Sequence, residues 1–371
     1  MAMERLFQLM KEKNASDMFF AVNSPVHIKI NGNLIPINQH KLEADNIHSL
    51  LSEIASPEEL ATLARENELN MGISVPNLGR FRLSAFRQRG SMSAVFRFVP
   101  ANIPPLAELG LPPVLSELIM EKRGLLLIVG ATGSGKSTTM AAMVGYRNEH
   151  SYGHIITIED PVEFVHPHRN CVITQREVGV DTDSFEAALK NSLRQAPDVI
   201  QIGEIRDRET MEHAIAFAET GHLCLATLHA NSANQALDRI INFFPEERRQ
   251  QLLMDLSLNM KGLISQRLIP RKETKGRVVA IEIMLNSPLI SDLIFKGEVH
   301  EIKEIMKKSR ELGMQTFDQA LFDLYEADKI SYEDALRNAD SVNDLRLNIK
   351  LNSKHAKNRD FSAGTETLGL V

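Results

Sequence analysis

At 371 residues, 43% hydrophobic and 24% charged, the chain has an ordinary globular composition and the length for two domains. A net charge of -6, no tryptophan and 4 tyrosines argue against a nucleic-acid groove, which calls for a basic surface with stacking aromatics. No apolar run reaches the roughly 18 residues of a membrane span, and the 2 cysteines, Cys171 and Cys224, form no CxxC pair and argue against a structural zinc site.

The opening MAMERLFQLMKEKN carries charge from Glu4 onward and sets Met3, Leu6, Phe7 and Met10 on one helical face, which predicts an amphipathic helix and not a signal peptide. Residues 18–22 and 26–30 predict strands, and Asn31-Gly32 predicts a hairpin turn into 34–37. Residues 42–63 predict two helices broken near Ser56-Pro57. Further strands are predicted over 72–75, 79–85 and 93–98, in a region that carries Arg80, Arg82, Arg87, Arg89 and Arg97. A solvated strand edge explains most such charges as readily as function does. Residues 100–113, PANIPPLAELGLPP, predict a stiff linker without regular structure, separating a domain over 1–99 from one over 114–350.

Within the second domain, LLLIVGATGSGKS runs from a doubly buried strand into a glycine-rich turn and a helix over 137–147. Gly130, Gly135, Lys136 and Ser137 meet the pattern G-x-x-x-x-G-K-[ST] in the strand–loop–helix context that a phosphate-binding loop requires. Gly130, Ala131, Thr132, Gly133, Ser134, Gly135, Lys136, Ser137 and Thr138 are therefore the candidate nucleotide-binding residues. Backbone N–H groups and the helix N-terminus would cradle the phosphates, Lys136 would add a point charge, and Ser137 a hydroxyl for Mg²⁺. The chain is expected to bind and hydrolyse a nucleoside triphosphate.

Strands and helices then alternate, as in a parallel sheet with crossover helices. A strand over 154–158 ends in the acidic run Glu159, Asp160, Pro161, Val162, Glu163, at the end of a strand where open α/β sheets bind ligands. A helix is predicted over 183–194, with Asp183 and Glu186 as a capping pair. The strand 199–202 finishes at Gly203-Glu204; an acid there can hold Mg²⁺ through water or take a proton from the attacking water. After a helix over 207–220 comes the strand 223–228, bracketed by His222 and His229. His229 is placed near the γ-phosphate and His222 at a packing or subunit contact. Two helices are predicted over 232–266, a strand or hairpin over 277–285, helices over 288–350 and a disordered tail over 351–371.

The blocks GATGSGKSTT, IITIEDPVEF, QAPDVIQIGEIRDRETM and AETGHLCLATLHANSA resemble the Walker A, Asp box, Walker B and His box of the secretion and type IV pilus ATPases. With a small α/β domain ahead of the motor, the chain resembles the twitching-motility ATPases of the PilT/PilU family, on its PilU side. PilT-like chains carry an AIRxLIR helix, whereas PLISDLIFK over 288–296 lacks those arginines. The resemblance implies an α/β fold: a RecA-like P-loop ATPase domain with flanking helices, a smaller N-terminal PAS-like α/β domain and C-terminal helices. It implies ATP and Mg²⁺ as cofactors. It assigns Glu204 as the catalytic acid and as a Mg²⁺ ligand through water, Glu163 as its companion, His229 as the γ-phosphate contact, and Arg82 and Arg97 as arginine fingers. It further implies a homohexamer, a cytoplasmic location at the inner-membrane face, an inner-membrane pilus platform protein and a PilT-like retraction ATPase as partners, and no nucleic acid. The activity implied is that of an accessory retraction ATPase for twitching; the alternative is a nucleotide-binding regulatory subunit with little hydrolysis of its own.

Overall fold

The computed structural model describes residues 2–30, 32–76, 78–99, 102–273 and 276–355. By contact the chain divides into two units, one of Met1–Ile103 with Ile156–Arg169 and Ile173–Ser192, the other of Pro104–Ile155 with Asn170–Val172 and Leu193–Val371.

The first unit opens with α1 (Ala2–Glu12), then β1 (Asp17–Phe20), β2 (His27–Ile30) and β3 (Asn33–Pro36). There follow α2 (Ala44–Ser52), α3 (Pro57–Glu66), β4 (Glu68–Val75), β5 (Gly79–Gln88) and β6 (Ser91–Val99). The expected hairpin joins β2 to β3, with Ile30 opposite Asn33; Asn31 itself lies outside the described residues. The expected break at Ser56-Pro57 is a capping box: Ser56 accepts from the Glu59 amide, and Pro57 supplies the first helical position. The strands form one sheet in the order β3-β2-β1-β6-β5-β4. Phe81, Leu83 and Ala85 alternate inward along β5, and with Phe96 of β6 and Phe7 of α1 they build an aromatic-rich core. The Phe7 and Phe81 rings stack with centroids 4.1 Å apart.

The second unit takes the chain from residue 104. A 3₁₀ turn, Leu106–Leu109, interrupts the proline stretch, so that stretch is not wholly irregular. Next come α4 (Val114–Ile119), β7 (Gly124–Val129), α5 (Lys136–His150), β8 (Gly153–Glu159), β9 (Cys171–Glu177) and then α6 (Phe185–Ser192), which belongs to the first unit. β8 and β9 each begin in this unit and end in the first. The chain continues with β10 (Val199–Ile202), α7 (Arg208–Glu219), β11 (Leu223–Leu228), α8 (Ala233–Phe243), α9 (Glu246–Asn259), β12 (Met260–Pro270) and β13 (Arg277–Leu285). Last are α10 (Pro288–Lys296), α11 (Ile302–Lys308), α12 (Phe317–Glu326), α13 (Tyr332–Arg337) and α14 (Val342–Asn352). The sheet order is β13-β12-β7-β11-β10-β8-β9. β12, β7, β11 and β10 pair in parallel, and β13 closes the edge antiparallel. Both cysteines are free and buried.

Three expectations need correction. The helix predicted to run to residue 266 stops at Asn259, and residues 260–266 are strand, hydrogen-bonded on both sides to β7 and β13. α6 is capped by Ser184, whose hydroxyl accepts from the Ala187 amide, instead of by Asp183. The expected tail loses its first residues: α14 runs through Asn352, and Ser353 and Lys354 bond Glu326. Residues 356–371 lie outside the described residues.

In the first unit His166 is buried, its Nδ1 has no hydrogen-bond partner among the described residues, and burial pushes its pKa down to about 4. The folded protein thus refuses a proton that the unfolded chain accepts near the ordinary value of 6.5. Its contribution to stability is intact above that value and is lost as the pH falls toward 4, at most about 3 kcal/mol in all. Urea midpoints of the parent are expected to fall between pH 7 and pH 4.5 by more than those of His166→Phe; equal losses would refute it.

Candidate active site

The sheet order makes β7, β11 and β10 neighbours, and their register brings their C-terminal ends to one edge. Val129 pairs with Leu228, and Ala226 with Ile202. The residues that follow, Gly130, His229 and Gly203-Glu204, therefore emerge side by side, across strands spaced roughly 4.8 Å apart. This is the edge at which open parallel sheets place ligands.

The loop from Gly130 to Gly135 needs glycine at both ends. Gly130 has φ +155°, and a Cβ there would lie 2.4 Å from Ser134 Oγ and 2.8 Å from the Gln266 carbonyl. Gly135, at φ 92°, is the left-handed residue from which α5 starts. The first turn of α5 leaves its amides without partners inside the helix. Lys136 is buried, and its ammonium donates to the carbonyls of Gly130 (2.9 Å) and Ala131 (3.0 Å), tying the loop's entrance to its exit. Ser134 Oγ is buried with no hydrogen-bond partner among the described residues, although such groups are almost always paired. A cradle that only glycine permits, with an unpaired hydroxyl in it and a lysine beside it, fits a phosphate and its Mg²⁺. Ala131, Thr132 and Gly133 are exposed; Ser137 and Thr138 are half-buried.

Glu204 is held at both oxygens. Oε1 lies 3.2 Å from His229 Nε2, and Oε2 accepts from Arg206 Nε at 3.1 Å. The connection after β10 is pinned to β11, because the Thr227 hydroxyl donates to the Gly203 carbonyl and the Ile205 amide to the Thr227 carbonyl. His229 and Glu204, 25 residues apart in sequence, are thus one contact pair. Gly130, Ala131, His229, Asn231, Arg239 and Phe243 line a cavity of about 690 Å³ beside the loop. The arrangement can seat a triphosphate and sets a carboxylate–imidazole pair at the same sheet edge, groups whose chemistry suits proton transfer. His222 is at the opposite end of β11, where its ring nitrogen bonds Thr220 Oγ1 and the Phe217 carbonyl, a local closure of the α7–β11 turn.

The other candidates lie in the first unit. Arg82 and Arg97 are cross-strand partners on β5 and β6, and Arg97 is in turn opposite Asp17 of β1. Asp17 is buried and accepts from Arg97 Nε at 2.8 Å. Arg82 makes no ion pair among the described residues. Arg80 is taken up by Glu177 at 3.0 Å. In the acidic run the buried member is Glu159, not Glu163. Burial pushes the Glu159 carboxyl up, against hydrogen bonds from the Thr157 hydroxyl and the Gln175 amide. The Glu163 amide donates weakly to it, at 3.5 Å. Glu159 was visible only as one acid of that run, and Arg206 only by its place two positions past Glu204 in GEIRD; Asp17 carried no local signal.

The type II/IV secretion system protein family matches residues 2–329. The chain is 56% identical over 354 residues to the type IV pilus ATPase PilU of Pseudomonas aeruginosa, covering 95% of this chain and 93% of that one. It is 40% identical over 339 residues to the type IV pilus retraction ATPase PilT of the same organism, covering 91% and 98%. Among solved structures it resembles the pilus retraction motor PilT with bound ADP, at 38% identity and a TM-score of 0.86, covering 92% of this chain and 99% of that one.

Proposed function

The chain belongs to the type II/IV secretion system protein family and is a P-loop ATPase, and on that premise we propose that it powers type IV pili as an accessory retraction ATPase. The observation that carries the hydrolytic part is the Glu204–His229 pair at the sheet edge where the Lys136 loop begins. The pilus part is supported by likeness across 95% of the chain to a type IV pilus ATPase. The assembly is a homohexamer, as the family resemblance implies, working against a pilus platform protein at the cytoplasmic face of the inner membrane. No helix among the described residues is long and apolar enough to cross a membrane.

In this reading the phosphates displace Lys136 from the two carbonyls it holds, and its ammonium turns to the β/γ oxygens. Ser134 Oγ gains the partner it lacks. Mg²⁺, held by Ser137 and through water by Glu204, would neutralise phosphate charge. Glu204 accepts the proton of the attacking water, with Glu163 as companion. His229 holds the Glu204 carboxylate and contacts the γ-phosphate. Arg82 and Arg97 supply positive charge to the transition state, Arg97 from the position that Asp17 fixes.

The accessory role is favoured by α10. Where PilT-like chains carry arginines, Ser291 donates inward to the Ser257 carbonyl at 2.8 Å, and Phe295 is exposed. Purified alone, the chain is expected to hydrolyse ATP. Deleting its gene is expected to weaken twitching while a PilT-like motor is present, and supplying the chain to a strain without that motor is expected not to restore it. Restoration would make it an independent motor; absence of turnover with binding intact would make it the regulatory subunit.

A further inference from the structure

Four residues, His229 to Ser232, join β11 to α8, and side chains from three elements grip their backbone and the first amide of α8. Arg239 of α8 donates to the His229 carbonyl at 3.1 Å. Glu282 of β13, buried and with its carboxyl pushed up by that burial, accepts from the Ala233 amide at 2.7 Å, at the start of α8. Arg267 of β12 donates to the Asn231 carbonyl at 3.1 Å.

Arg267 does more than hold the loop. Its guanidinium also donates to the Asn338 carbonyl at 2.6 Å and to Asp340 Oδ1 at 2.7 Å, and it lies over the Phe317 ring, 3.8 Å from the centroid. Asp340 is itself fixed. It pairs with Lys303 of α11, and its amide and that of Ser341 donate to Asp318 of α12. One planar cation therefore ties the His229 loop to three of the C-terminal helices through the turn between α13 and α14. An ammonium cannot reproduce this: the forked donors and the flat face on Phe317 are both in use.

We propose that Arg267 is a positioning residue for hydrolysis, transmitting the placement of the C-terminal helices to His229 and thence to Glu204. The inference rests on the reading of His229 and Glu204 as hydrolytic residues. It assigns the C-terminal helices a part in turnover although none of the phosphate-loop residues lies on them.

Two readouts test it on the full-length protein. Hydrogen exchange of the segment 229–233 reports the loop's placement directly, whatever the ATPase rate. Arg267→Met is expected to speed that exchange about tenfold or more, and Asp340→Asn to do so in the same direction by less. In steady-state assays Arg267→Met is expected to lower kcat about tenfold with KM for ATP within about twofold, since a small displacement of a reacting group is costly while phosphate binding lies elsewhere. Arg267→Lys is expected to rescue little. In a His229→Gln background, Arg267→Met is expected to add no further loss. Unchanged exchange in both Arg267→Met and Asp340→Asn overturns the proposal, as does an equal loss of kcat with and without His229. Should Arg267→Met not fold, Asp340→Asn decides the exchange test. If His229→Gln leaves turnover intact, the hydrolytic reading of His229 fails, and exchange still judges the link.

Discussion

Glu204→Gln is expected to bind MgATP about as tightly as the parent and to hydrolyse it about 10²–10³-fold more slowly, the loss typical of removing a general base. The substitution preserves shape and an acceptor oxygen but removes the charge and the basicity. The carboxylate now sits between the His229 ring and the Arg206 guanidinium, at 3.2 and 3.1 Å, so its position is set before nucleotide arrives. It is 19% exposed, open enough for a water to reach it and enclosed enough to be oriented. At the sheet edge it lies two strands from the phosphate loop, and in the proposed mode the phosphates rest on Lys136 and the amides of the α5 start. Binding and chemistry are therefore separable, and phosphate-release assays beside nucleotide titration should separate them. A Glu204→Gln protein that turns over at the parent's rate would move the base elsewhere.

Lys136→Ala is expected to fail one step earlier. A charge-assisted contact to phosphate contributes roughly 1.5–3 kcal/mol, so nucleotide should bind about 10- to 100-fold more weakly, and turnover should vanish at ordinary ATP concentrations. The same ammonium closes the empty loop by bridging the Gly130 and Ala131 carbonyls. Its removal frees those acceptors, and the expected loss of stability is modest, about 1 kcal/mol, because Ala131 is exposed and its carbonyl can turn to water. Circular dichroism and a thermal melt alongside the titration would show a folded protein that does not hold ATP. Undiminished affinity would contradict the role given to the loop.

The motor was legible where the signal was local. The phosphate loop announces itself because its strand, glycines, lysine and helix occupy one continuous stretch. The Ser56-Pro57 break was legible for the same reason, as a cap and its helix lie within four residues. The strand β12 was not. MKGLISQ follows a helix without a proline and with one glycine, and what makes it a strand is pairing on both sides with β7 and β13, a tertiary cause. Long-range pairs within the first unit escaped for a related reason. Asp17 and Arg97 are 80 residues apart, and Arg80 and Glu177 are 97 apart; only the fold brings them together. Glu163 was named from the resemblance to the family's Asp box, and the burial that sets Glu159 apart from it is not written in that run. Arg267, one residue beyond the stretch read as helices, offered no pattern at all.

The measurement that bears most directly on the central claim is the identity of the nucleotide retained after incubation with MgATP. The parent protein is expected to yield ADP, Glu204→Gln ATP, and Lys136→Ala no nucleotide. ADP recovered from Glu204→Gln in the parent's yield and time would contradict that claim.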